Sequence, residues 1–188
     1  PDIGSKLLVW GNGKWQGDLG SEELNQAAIQ LSQERINTQQ SSRETLQSSE
    51  GNIEIFIDVY PPPPKLVIIG AVHIAIPLVT IGNLLGFHTI VVDPRKAFAT
   101  PERFPHPNEL VKAWPEDAFE QIPLDEGTYL ITLSHDDKLD IPALQAALSS
   151  KVRYIGALGS RKTHEKRLEN LKELGVSHEK LMCIHTPV

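Results

Sequence analysis

Cysteine, methionine and aromatic residues are scarce in this chain of 188 residues, which has one Cys, one Met and a 6% share of Phe, Trp and Tyr. A single cysteine, Cys183, excludes an internal disulfide framework and any multi-cysteine metal site within one chain. The count fits a reducing, cytoplasmic compartment, and Cys183 itself reads as a small buried residue. An excess of positive charge is missing too: 18 Lys and Arg stand against 24 Asp and Glu, a net charge of −6. That balance argues against a nucleic-acid backbone as the main partner, although a local basic cluster can still hold phosphate. The opening, PDIGSKLLVW, lacks the basic-then-apolar order of a secretory signal. It also lacks an initiator methionine, so the chain is expected to be a fragment, a processed product or the ordered part of a longer protein. No apolar run is long enough to read as a membrane span. The longest candidate is interrupted by His73, Pro77, Asn83 and His88, and Gly70 and Gly86 divide it into strand-sized and helix-sized pieces. The remainder, 40% hydrophobic and 22% charged, describes an ordinary soluble α/β protein of one full domain and a partial one.

The stretch Lys65 to Arg95 organises the rest. Leu66 to Ile69 is a β-branched run suited to a strand buried on both faces. Gly70 ends it, an apolar segment of helical length follows from about Val72 to Leu85, and Gly86 supplies the stop. Thr89 to Val92 reads as a second buried strand, closed by Asp93, about 23 residues past Gly70. Strand, glycine turn, helix, strand and acid is the order of a βαβ nucleotide-binding unit, whose acid is expected roughly 20 residues on. A plain βαβ core without ligand fits the same spacing.

Upstream, Lys6 to Gly17 reads as a hairpin around Gly11-Asn12-Gly13. Ser21 opens a helix with Leu24, Ala27, Ala28 and Leu31 on one face. Asn37 to Glu50, rich in Ser and Gln, is expected to be a frayed helix end or a flexible connection. Asn52 to Tyr60 alternates as a half-buried strand does. Pro61 to Pro64 is a stiff spacer. The domain boundaries expected are therefore 1–60 for a partial α+β domain, 61–64 for the linker and 65–188 for a Rossmann-like domain. Downstream, Ala97 to Asn108 is a loop expected to cover the ligand edge of the sheet, followed by a short strand at Glu109–Ala113 and a helix at Pro115–Gln121. Strands at Thr128–Leu133, Tyr154–Ala157 and Leu181–His185 alternate with helices at Ile141–Leu148 and about His164–Leu174. Such alternation implies a doubly wound parallel sheet, with the turns at Gly70, Asp93, Ser134 and Gly159 along one rim.

Four groups on that rim are candidates for binding. Gly70, Ala71, Val72 and His73 form a turn into a helix whose N–H groups can hold an anion. Val72 stands where G-x-G-x-x-G/A has its middle glycine, which opposes the usual approach of a pyrophosphate. Asp93 suits a ribose or other polyol and Arg95 a phosphate, unless both simply face solvent. His135, Asp136 and Asp140 suit a metal, a proton transfer, or merely a turn and helix cap. Gly159, Ser160, Arg161 and Lys162 offer N–H groups, a hydroxyl and two cations to an anion. No catalytic triad is visible, and no metal-ligand set is assigned.

Taken in order, the segments GAVHIA from Gly70, GFHTIVVDPR from Gly86, SHDDKLD from Ser134 and YIGALGSR from Tyr154 resemble the XdhC/CoxI family of xanthine dehydrogenase accessory proteins. That family reads G-A-G-H-[VI]-A, G-F-x-V-x-V-x-D-x-R, T-H-D-x-x-L-D and Y-I-G-x-L-G-S-R at these places. The stretch GSKLLVWGNGKWQGDLGSEELNQAA is similar to the tail of the family's amino-terminal domain. Val72 for glycine, Ser134 for threonine, and Gly20-Ser21-Glu22 in a thinned glycine cluster are departures. The family's usual ending, G-L-D-I-G with its P-x-E-I-A helix, would begin after Val188. The resemblance implies a chaperone that binds molybdenum cofactor (molybdopterin) and delivers it to an apo molybdenum hydroxylase of the xanthine dehydrogenase type, with a cysteine desulfurase as sulfur donor. An NAD(P)-dependent oxidoreductase and a nucleotide-sensing regulatory module are the alternatives. The proline spacer also leaves room for a homodimer that exchanges the amino-terminal piece.

Overall fold

In the computed structural model, which describes residues 3–48 and 51–186, the chain first folds back on itself through Gly11-Asn12-Gly13. Strand β1 (Leu7–Val9) pairs antiparallel with β2 (Trp15–Gly17), and the Trp10 N–H donates to the Lys14 carbonyl at 2.9 Å. Helix α1 (Glu22–Thr38) is capped by Ser21, whose Oγ accepts from the Leu24 N–H, and Glu22 and Glu23 complement the positive end of its dipole. Beyond the left-handed Gln39 the expected frayed or flexible segment is instead an ordered strand. That strand, β3 (Ser42–Ser48), pairs along its whole length with β4 (Gly51–Ile57); the expected segment's last two positions lie outside the described residues. Polar residues form it because its partner supplies the ladder and a single apolar contact, Leu46, packs with Leu24 and Ala28 of α1. Arg35 of α1 and Glu44 of β3 close the contact with an ion pair at 3.0 Å.

The chain divides into one compact unit up to Pro62 and another from Pro63. The second unit holds a sheet of six parallel strands. These are β5 (Lys65–Ile69), β6 (His88–Val92), β7 (Glu109–Val111), β8 (Thr128–Thr132), β9 (Tyr154–Ala157) and β10 (Ile184–His185), in the order β10-β9-β8-β5-β6-β7. Succession runs outward from β5 to β7 on one side and from β8 to β10 on the other. The reversal between β5 and β8 is the switch point of a doubly wound sheet. One face packs Val67, Ile69, Ile90, Val92, Leu130 and Ile155 against residues of α3 (Pro115–Gln121), α4 (Asp137–Leu148), α5 (Arg161–Glu173) and α6 (His178–Leu181). The other face packs Ile68 and Val91 against Ala75 and Val79 of α2 (Ala75–Leu84). Each such side chain contributes about 1.5–3 kcal/mol on leaving water, so the central strands anchor the unit.

Helix boundaries differ from the sequence reading where backbone groups find other partners. Helix α2 begins at Ala75, not near Val72, since the Ala71 N–H is drawn to a carboxylate (below) and residues 71–74 form an irregular turn. Helices α4 and α5 begin earlier, at Asp137 and Arg161, because Asp136 and Ser160 cap them ahead of their first apolar residues. The segment between β6 and β7 buries Ala99 and Phe104 in the α2-side core. Cys183, expected buried, is exposed, since it follows the short helix α6 while its neighbours Leu181 and Ile184 turn inward. Among the described residues no helix is long and apolar enough to cross a membrane.

Candidate functional site

Register alone sets the four turns side by side. Ile69 is level with Val92 and Thr132, and Thr132 with Ala157, so the residues that follow leave the sheet along one edge. Gly70 has φ +104, and a Cβ there would lie 2.8 Å from the Ser134 Cβ and 2.9 Å from its Cα. The β5 and β8 turns therefore approach so closely that only glycine fits between them.

Asp93 is fully buried and fully engaged. Its Oδ1 accepts from the Arg95 N–H and Nε at 2.9 Å each, and its Oδ2 from Arg95 Nη2 at 2.7 Å and the Ala71 N–H at 2.8 Å. Burial pushes this carboxyl up, but the Arg95 fork and the two N–H groups outweigh it and hold it below the usual aspartate range. The same hydrogen bonds raise Arg95, with Asp136 and Asp140 adding to the field. The guanidinium also lies over the Phe98 ring at 4.3 Å, and that of Arg103 at 5.3 Å.

A second buried pair lies under the β8 and β9 turns. Ser134 Oγ donates to Asp140 Oδ1 at 2.6 Å and accepts from the Asp136 N–H at 3.1 Å. Asp140 Oδ2 meets Arg167 Nη2 at 3.2 Å, with both side chains 1% exposed, and the same Nη2 donates to the Leu158 carbonyl at 3.0 Å. Burial is the largest influence on Asp140 and pushes its carboxyl up, past the opposing pull of Ser134 and Arg167. Arg167 Nε and Nη1 are buried and have no partner among the described residues. Burial, then the Arg167 charge, lowers the His164 imidazole. At the mouth of the β9 turn, Ser160 Oγ accepts from the Thr163 N–H at 3.2 Å and caps α5.

A sequence model of the XdhC Rossmann domain matches residues 66–188. The chain belongs to the XdhC family. It is 43% identical over 81 residues to the molybdenum cofactor insertion chaperone PaoD of Escherichia coli (strain K12), covering 43% of this chain and 25% of that protein. It is 30% identical over 106 residues to a probable xanthine dehydrogenase subunit of Bacillus subtilis (strain 168), covering 56% of this chain and 32% of that protein. An uncharacterized Escherichia coli (strain K12) protein, YqeB, is 30% identical over 139 residues, covering 73% of this chain and 25% of that protein. The chain thus spans between 25% and 32% of the length of these curated relatives. The crystal structure of a xanthine dehydrogenase from Bacillus halodurans superposes with a TM-score of 0.61 over 98% of this chain and 68% of that one, at 20% identity, a likeness of fold.

Within this XdhC domain the expected rim residues share one edge, but not in equivalent states. Gly70, Ala71, Val72 and His73 lie at the β5 turn. There Ala71 is tied to Asp93, Val72 packs against the α2-side core, and His73 is exposed. Asp93 and Arg95 hold each other, so neither waits free for a ribose or a phosphate in the way their spacing suggested. His135 is exposed with a left-handed φ of 58, Asp136 caps α4 through the Lys138 N–H, and Asp140 turns inward to Arg167. The three do not converge as metal ligands, and no cluster of three or more potential ligands occurs among the described residues. Gly159, Ser160, Arg161 and Lys162 open α5, with Arg161 and Lys162 exposed. No motif or spacing in the sequence singles out Arg167; its one signal is its place on the helix face shared with Leu171, where an outward charge is out of phase.

Proposed function

We propose that this XdhC-family chain belongs to an accessory protein that binds molybdenum cofactor and delivers it to a molybdenum hydroxylase of the xanthine dehydrogenase type. The observation that carries the reading is the β9–α5 turn. Ser160 caps the helix, the N–H groups of Arg161 and Lys162 have no acceptor among the described residues, and two exposed cations stand beside them. Such a helix start suits the anionic phosphate of molybdopterin, and α5 is long enough to present a dipole. Similarity to a protein named as a molybdenum cofactor insertion chaperone supports the same cargo. Sulfuration by a cysteine desulfurase would precede transfer. A dinucleotide enzyme instead needs a carboxylate open to the ribose, and Asp93 is closed by Arg95 and Ala71.

The test is a titration of the chain with molybdenum cofactor, NAD(H) and NADP(H), repeated on Arg161→Ala and Asp93→Ala. Stoichiometric cofactor binding that weakens in Arg161→Ala, with the dinucleotides inert, is the expected outcome. Dinucleotide binding that weakens in Asp93→Ala, without retention of molybdenum cofactor, would overturn the reading.

A further inference from the structure

We infer that Arg167 is the buried anchor of a phosphate subsite at the β9–α5 turn, and that this turn, rather than the Gly70 turn, takes the phosphate monoester end of a bound ligand. The inference deepens the carrier reading and rests on it only for the identity of that ligand. Three observations lead to it. The Gly70 turn is already filled from within: its Ala71 N–H is held by the Asp93 carboxylate. Arg95, the obvious phosphate partner by sequence, has Nε and Nη2 bound to that same carboxylate. Arg167 is the contrary case, with one nitrogen bound and two donors buried without acceptors.

Burying unpaired guanidinium donors is costly unless a partner arrives, since each desolvated donor forgoes a charge-assisted bond it would make in water. The place such a partner would enter is marked by glycine. A Cβ on Gly159 would sit 3.6 Å from Arg167 Nη1 and 3.3 Å from the Thr163 Cβ. Nη1 is closed off from water in this structure, so an anionic oxygen reaches it only as the Gly159 turn yields, while the N–H groups of Arg161 and Lys162 hold its other oxygens. Asp140 takes only Nη2 and leaves Nε and Nη1 as donors. A guanidinium is needed for this division of labour, because an ammonium has no second nitrogen to offer.

The experiment is an amide and arginine side-chain NMR titration of the chain with inorganic phosphate, against chloride at equal ionic strength. Parallel arms use adenosine monophosphate and molybdenum cofactor. Phosphate is expected to shift the amides of Ser160 to Thr163 and the Arg167 Nε–H, and chloride is not. Arg167→Lys, which keeps a cation for Asp140, is expected to weaken phosphate binding by about tenfold. Gly159→Ala, which strains a φ of +155 and sets a Cβ 3.3 Å from that of Thr163 without removing Arg167 or Asp140, is expected to weaken it as well and serves if Arg167→Lys does not fold. Phosphate shifts that are absent, match chloride or fall on the Gly70 turn overturn the inference, and so does undiminished binding in folded Arg167→Lys or, where that variant does not fold, in Gly159→Ala. Retained molybdenum cofactor without a phosphate response at this turn sinks the subsite and leaves the carrier reading standing. Phosphate and adenosine monophosphate binding without molybdenum cofactor supports the subsite and sinks the carrier reading.

Discussion

Removing the guanidinium of Arg167 while keeping its volume isolates what the buried pair does for the fold. In Arg167→Met, Asp140 keeps Ser134 but loses its cation at a site where both side chains are 1% exposed. Breaking a buried pair from one side costs about 3–5 kcal/mol, because the remaining charge is left uncompensated. At about 3 °C per kcal/mol for a unit of this size, the midpoint should fall by roughly 10–15 °C. Asp140→Asn in the same chain removes the stranded charge, so the double variant is expected to regain most of that loss. The pH dependence follows from the raised Asp140 carboxyl. A folded-state value above the unfolded one means the folded state binds the proton more tightly, so stability falls as pH rises through that interval. Without Arg167 the carboxyl rises further, and the deficit of Arg167→Met should shrink as pH is lowered from 8 to 5. Urea unfolding of the four members of the cycle at both pH values measures this. A single-variant loss below about 1 kcal/mol, or a double variant no better than Arg167→Met, refutes the reasoning.

Gly70→Ala is expected to cost about 3 kcal/mol or more, combining a left-handed φ of +104 with a Cβ 2.8 Å from that of Ser134. The backbone of Ser134 must yield, so slowed amide exchange at Ser134–Asp136 would be lost along with stability; a melting curve unchanged within 2 °C contradicts the close approach. Asp93, held below its ordinary range, contributes stability that is complete above its unfolded value and disappears as pH falls through the folded one. Asp93→Asn is therefore expected to be less stable at pH 7 and to flatten the acid limb of the stability profile, which denaturation from pH 7 down to 2 would record.

The parallel sheet was legible because its strands are buried on both faces and announce themselves as short runs such as Leu66–Ile69 and Thr89–Val92. Strand β3 was not, since SRETLQS carries one apolar residue and owes its form to the partner strand. The rim was legible as a set of turns, but not the state of its side chains. Spacing alone leaves Asp93 and Arg95 as two ligands for separate groups or as a solvent-facing pair, whereas in the structure one fork closes on the other. Arg167 hid for another reason. In a helix as charged as Arg161–Glu173 an arginine is expected outside, and only Asp140, 27 residues earlier in the chain, makes the inward position tolerable. Position in a periodic pattern, rather than residue type, carried that information.

The Asp140–Arg167 contact also bears on how such a chain can change over generations. Folded domains of this kind hold about 5–15 kcal/mol in reserve, and losing either partner alone would use a large part of it. A route from this pair to an apolar one of similar volume ends in an acceptable fold but passes through an intermediate that does not. The two positions, on neighbouring helices α4 and α5, are therefore expected to drift together or not at all. Among homologues, apolar residues at position 140 should accompany apolar residues at 167, with position 134 free to lose its hydroxyl only in those lineages.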